Sequence, residues 1–171
     1  MAPFSLLGDD GQPTGYTVDL CKIIASQLVT QLDLKLMDVR WVKTSTRSRF
    51  DAIASGDADL ECSATSNTLE RQRQFGFSLT TFIQGATFAV RSDTDLEKLD
   101  HLTAKKIAVV RNSTTSKLLK QAVAANQLQA TLVEVKSFEA AANMLASKDV
   151  DAVAGDRLVM FDQLVRSKLG T

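Results

Sequence analysis

The chain predicts an α/β fold with mostly parallel strands flanked by helices, on three observations. Strand-length apolar runs alternate with segments of helical period through the whole 171 residues. One run, Lys106-Ile107-Ala108-Val109-Val110, is apolar at four consecutive positions, as a strand covered on both faces is. Hydroxyl-rich turns follow two of the strands and open helices, one at Ser63 to Thr68 and one at Ser113-Thr114-Thr115-Ser116. In open α/β sheets, sites form beyond such carboxyl ends.

Taken in order, GDDGQPTGYT carries Gly8, Gly11, Pro13 and Gly15 and reads as a hairpin-like loop. Thr17 is expected to cap the next helix, whose Leu20, Ile23, Ile24, Leu28 and Leu32 recur on one face. KLMDVRWV at 35–42 reads as a strand of mixed burial, and a short helix over 47–55 stops at Ser55-Gly56-Asp57. Ala58 to Cys62 is the next strand, running into the first hydroxyl turn and a helix start that carries Arg71. A strand at 87–91 leads into the polar linker SDTDLEKLDHLTAKK. The pattern then restarts with the strand at 106–110, the second hydroxyl turn, and a helix facing inward with Leu118, Leu119, Ala122 and Val123. TLVEV at 131–135 is a strand, and Ser137 caps a helix that buries Phe138, Ala141, Ala142 and Leu145. A strand from Asp151 to Ala154 places Asp156 at its carboxyl end, and Leu158, Phe161 and Val165 line the last helix before Gly170-Thr171.

Composition narrows the function classes. Twenty basic side chains balance twenty acidic ones, which gives no electrostatic footprint for nucleic acid or a membrane surface and favours a small-molecule partner. No apolar run approaches the ~20 residues that span a bilayer, and no charged-then-apolar leader precedes the first residues, so the sequence reads as soluble and mature-like. Cys21 and Cys62 stand apart, without a CxxC pair or a histidine cluster, so neither a metal nor a cofactor is expected. A disulfide between them and two buried free thiols are both open. His101, the single histidine, lies in the polar linker and reads as a surface residue.

Asp57 to Ser78 has the layout of an anion cradle. Ser63, Thr65, Ser66 and Thr68 offer hydroxyls, the helix start offers N–H groups, and Arg71 offers a planar fork of donors that suits a carboxylate. The plainer reading is a helix-capping turn with Glu70, Arg71 and Arg73 as surface charges. Arg49, by residue type alone, reads as an exposed helix charge.

Four segments, APFSLLGDDGQPTGYTVDLCKIIA, STRSRFDAIASGDADLECSATSNTLERQRQFGFS, KKIAVVRNSTTSKLL and MLASKDVDAVAGDRL, occur in the order of a known family. In that order the chain resembles the type 2 periplasmic amino-acid-binding proteins that deliver substrate to ABC importers, and among them the glutamate/aspartate-binding members. The resemblance implies a two-lobe periplasmic-binding-protein type 2 fold that closes by a hinge, with lobe 1 at 1–88, incomplete, and lobe 2 at 89–171. It implies that Arg71 would pair with a ligand α-carboxylate, helped by Thr65, Ser66 and the main chain around Ala64. Thr114 and Thr115 would hold the same carboxylate, and Asp156 would accept the α-ammonium. Arg49, with Thr46 beside it, would take a side-chain carboxylate. Two arginines and one aspartate would then neutralise an acidic amino acid.

The same resemblance implies a periplasmic location, an ABC permease as partner, and no catalysis. Ala64 stands where the glutamate/aspartate pattern commonly has serine, which removes one hydroxyl. The family also has a strand before the PFS segment and a return into lobe 1 after the last helix, neither present in this chain. An unfilled sheet edge of that kind predicts a homo-oligomer or a swapped dimer. Two other readings share the fold: a ligand-sensing domain of a membrane receptor, and an enzyme of the cyclohexadienyl dehydratase type. Against the enzyme, the candidate site has no histidine, activated cysteine or motif-placed carboxylate pair.

Overall fold

Two units of different build make up the chain, Met1–Phe77 and Ser78–Thr171. The computed structural model describes residues 1–96 and 98–166, so Gly170-Thr171 lie outside the described residues.

The second unit is an α/β layer. Its four strands are β3 (Ala86–Val90), β4 (Lys106–Val110), β5 (Thr131–Val135) and β6 (Ala152–Asp156), in the order β3-β6-β4-β5. β4 runs parallel to both β5 and β6, and β3 closes one edge antiparallel to β6. Period-two alternation along β4 sends Ala108 and Val110 to one face and Ile107 and Val109 to the other. The first face packs with Ala141, Leu145 and Met160 of helices α5 (Phe138–Ala146) and α6 (Arg157–Arg166), the second with Leu119 of α4 (Thr114–Ala125) and with Leu102. A strand covered on both faces needs an unbroken apolar run, and that is the pattern at 106–110. Ser137 caps α5 as expected, accepting from the main-chain N–H of Ala140, and Ser113 of the second hydroxyl turn caps α4, accepting from the N–H of Ser116. At Gly155 a Cβ would sit 2.2 Å from Phe138 Cε1, so glycine is what lets α5 start against the sheet.

Several expectations shift. β3 pairs with β6 from Ala86↔Asp156 to Val90↔Ala152, so this strand lies wholly in the second unit. α6 turns Val159 and Met160 inward and leaves Phe161 and Val165 exposed, the reverse of the expected face, and Leu118 of α4 is exposed as well. His101 lies in a one-turn 3-10 helix at the surface, its Nδ1 2.9 Å from the carbonyl of Asp95.

The first unit has little sheet. β1 (Leu6–Leu7) and β2 (Pro13–Thr14) form a two-stranded hairpin ahead of helix α1 (Tyr16–Gln31). Gly15, not Thr17, is the cap: its φ of 117° is open to glycine, and a Cβ there would lie 2.6 Å from the Phe4 carbonyl. Thr17 ties segments together instead, its hydroxyl donating to the carbonyls of Phe4 (2.8 Å) and Cys62 (3.1 Å). Cys21 and Cys62 are joined in a disulfide, which resolves the two alternatives left by the sequence. Helix α2 (Ser48–Ser55) ends at left-handed Gly56, as read, and is followed by the single turn α3 (Leu69–Gln72). Neither 35–42 nor 58–62 forms a strand, since neither pairs with another segment among the described residues, and Leu36, Val39, Val42 and Leu60 are exposed. Ile23, Ile24 and Leu32 of α1 are exposed too, so the predicted inward stripe is largely uncovered.

Candidate functional site

Two segments of the first unit meet around Phe50. Arg49, on the first turn of α2, is only 6% exposed, and its guanidinium carbon lies 5.0 Å from the centre of the Phe50 ring. The guanidinium carbon of Arg71, on α3, lies 4.8 Å from the same centre. Cations are attracted to a ring face, so one aromatic side chain seats both arginines. Phe75, one turn after Arg71, supports that ring at 5.3 Å between centroids. Arg71 is also fixed from the main chain: its Nη1 donates to the Ser66 carbonyl at 2.8 Å, and its own N–H donates to the Thr68 hydroxyl at 3.3 Å, which caps α3. Neither arginine is the surface charge that residue type alone suggests.

A carboxylate comes with them. Glu61 Oε1 lies 3.7 Å from Arg49 Nη1, inside ion-pair range but beyond a hydrogen bond. Burial holds the Arg71 guanidinium below its ordinary pKa, while the negative charges of Glu61 and then Glu70 pull the other way. At so high a starting value Arg71 keeps its charge throughout the physiological range. Thr65 Oγ1 is buried and makes no hydrogen bond within the structure. Thr46 and Ala64 are half-buried, Thr46 just ahead of α2 and Ala64 in the extended stretch before α3. The structure thus brings Arg49, Arg71, Ser66 and Glu61 together.

The second unit carries its own polar set. Thr114 and Thr115 open α4 just beyond the carboxyl end of β4, and Thr115 is 6% exposed. Ser113 Oγ donates to the Val110 carbonyl at 2.7 Å, which binds the cap to the strand. Ser116, the last of the four hydroxyl residues, is committed elsewhere: its Oγ donates to Glu134 Oε1 on β5, which also accepts from Lys120 Nζ. Asp156 is half-buried at the carboxyl end of β6. As β4 and β6 are parallel neighbours, Thr114, Thr115 and Asp156 all leave the sheet at the same end.

Sequence reasoning missed Phe50, Phe75 and the true partner of Glu61. Phe50 was visible as the neighbour of Arg49, and Phe75 as the residue four beyond Arg71, a spacing that brings side chains together on one helical turn. Glu61 carried no sequence signal of its own, and the structure places it beside Arg49. Among the described residues no group of three or more His, Cys, Asp and Glu side chains is placed to hold a metal ion. No helix among them is long and apolar enough to cross a membrane. What the first unit offers is fixed guanidinium donors, hydroxyls and one partly buried counter-charge, chemistry suited to holding a carboxylate.

Comparison with known proteins agrees. The family model for bacterial extracellular solute-binding proteins, family 3, matches residues 1–132. The L-glutamate/L-aspartate-binding protein of Pseudomonas aeruginosa is 27% identical over 97% of this chain and 55% of its own length, so the chain spans about half of that relative. Among solved structures, an ancestral arginine-binding protein bound to arginine superposes with a TM-score of 0.82 at 26% identity, covering 98% of this chain and 70% of that one. An ancestral amino acid-binding protein, a precursor of cyclohexadienyl dehydratase, reaches 0.82 at 25% identity over 94% and 68%. The fold is therefore the two-lobe α/β fold of these proteins, present here in part, and the chain belongs to the bacterial extracellular solute-binding proteins of family 3.

Proposed function

We propose that the chain binds an amino acid, glutamate or aspartate by preference, outside the cytoplasm for uptake by an ABC permease. The observation that carries this reading is the pair of guanidiniums, Arg49 and Arg71, seated on one ring in the first unit. Arg71, with Ser66, Thr65 and the main chain at Ala64, takes the α-carboxylate, and Arg49, with Thr46, takes the side-chain carboxylate. Thr114, Thr115 and Asp156 of the second unit complete the set, Asp156 as the ammonium acceptor. The name of the Pseudomonas aeruginosa relative supports the acidic preference. Exposed Leu36, Val39, Val42 and Leu60 support self-association through the first unit, which light scattering reads directly.

Calorimetric titration with aspartate, glutamate, glutamine, histidine and arginine tests the assignment. Arg71→Ala should abolish binding of every amino acid, whereas Arg49→Ala should remove only the preference for acidic ones. Equal binding of glutamine and glutamate by the parent would overturn the role of Arg49. A second reading, an enzyme of the dehydratase type, draws support from the ancestral precursor. Turnover of prephenate or arogenate would replace binding as the function. A sensor role instead of transport is decided by whether a kinase or cyclase domain or a permease accompanies the chain.

A further inference from the structure

Glu61 has no place in the scheme above, yet it is built into the same pocket. Its Oε1 is buried, accepts no hydrogen bond, and stands 3.7 Å from Arg49 Nη1, close enough to compensate charge and too far to occupy a donor. A carboxylate oxygen that is buried without a hydrogen bond adds little to stability, although the Glu61 side chain as a whole is partly exposed. Its field reaches beyond Arg49: of the two acids that act on Arg71, it contributes more than Glu70, the chain neighbour of Arg71.

We propose that Glu61 is a specificity-determining residue, an internal counterion of the two-arginine pocket that sets how strongly a ligand with two carboxylates is favoured over a ligand with one. This rests on the amino-acid-binding reading. The cluster holds two guanidiniums and one carboxylate, and a single ligand carboxylate at Arg71 balances it. A second ligand carboxylate must approach Arg49 against the negative charge of Glu61. Glutamine in place of Glu61 keeps the shape and removes that charge, so Arg49 has one counterion fewer and the second ligand carboxylate supplies it.

Titration of Glu61→Gln and of the parent with glutamate and glutamine reads this. The ratio of glutamate to glutamine affinity should rise by about tenfold in the variant. A ratio that stays level or moves toward glutamine would overturn the proposal. Thermal unfolding in sodium acetate against sodium chloride at equal ionic strength gives a readout without amino acid: acetate should stabilise Glu61→Gln more than it stabilises the parent. It should lose that advantage in the Arg49→Gln/Glu61→Gln double variant. If Glu61→Gln fails to fold while the double variant folds, the counterion role stands; if both fail, Glu61 is scaffold and the proposal falls. A parent that binds no amino acid defeats the functional reading and the ligand preference with it. A parent that binds, with an unchanged ratio in the variant, defeats only the role of Glu61.

Discussion

The two units solve the problem of staying folded in different ways. The second has a paired four-stranded sheet with apolar clusters on both faces, and Ile107, Val109 and Val150 are almost wholly inaccessible. In the first, the apolar side chains buried among the described residues are Phe4, Val18 and Ala52, and a charged one, Arg49, is buried with them. A disulfide, the hydroxyl of Thr17 and the arginine–ring contacts supply what the thin core does not. A small apolar core is the condition under which cross-links matter most. Charge chemistry and structural economy thus sit at opposite ends of one chain.

That contrast is testable by perturbing each unit with the tool the other should ignore. Reduction of Cys21–Cys62, which closes a sequence separation of 41, should destabilise the first unit by about 3–4 kcal/mol. Amide hydrogen exchange should speed up in α1 and around 57–62, with β4 and β6 unchanged; equal acceleration in both units would erase the distinction. Next in size, Leu102→Ala, at a site 2% exposed, should cost about 3 kcal/mol in urea unfolding. Leu36→Ala, at a site 84% exposed, should stay within about 0.5 kcal/mol. Comparable losses would mean that the first unit hides a core of its own. The smallest effect belongs to the surface of the second unit. Hydrogen bonds from Lys120 and Ser116 hold the Glu134 carboxyl below its ordinary value of 4.5. A carboxyl lowered by folding contributes stability above that value and loses it as pH falls through the folded pKa. Lys120→Ala should therefore lower the melting temperature slightly at neutral pH, by the equivalent of about half a kcal/mol, and the gap should close below pH 4.5. A gap that widens in acid would show that Lys120 acts by another route.

What the sequence made legible follows the same divide. In the second unit the strand and cap signals had their partners nearby, although the inward face of α6 was misread: the run at 106–110 lies between β5 and β6, and Ser113 and Ser137 sit where the caps are. In the first unit the patterns at 35–42 and 58–62 say which residues favour an extended, half-covered surface, but a strand exists only when a neighbour accepts its hydrogen bonds. None does among the described residues. The disulfide was open for a related reason, since pairing is a matter of distance in space and 41 positions of chain say nothing about it. Arg71 was legible as a cation at a hydroxyl turn. The burial of Arg49 was not, because its counter-charge Glu61 comes from a separate segment of the chain.

The ring of Phe50 is a hinge-pin shared by two charges. Any substitution that tilts or shrinks it displaces Arg49 and Arg71 together, so the placement of the two guanidiniums is inherited as a linked pair. Position 50 contacts both guanidiniums through its face. It is accordingly a place where one mutational step shifts both cations at once, while a step at either arginine removes one and leaves the other seated.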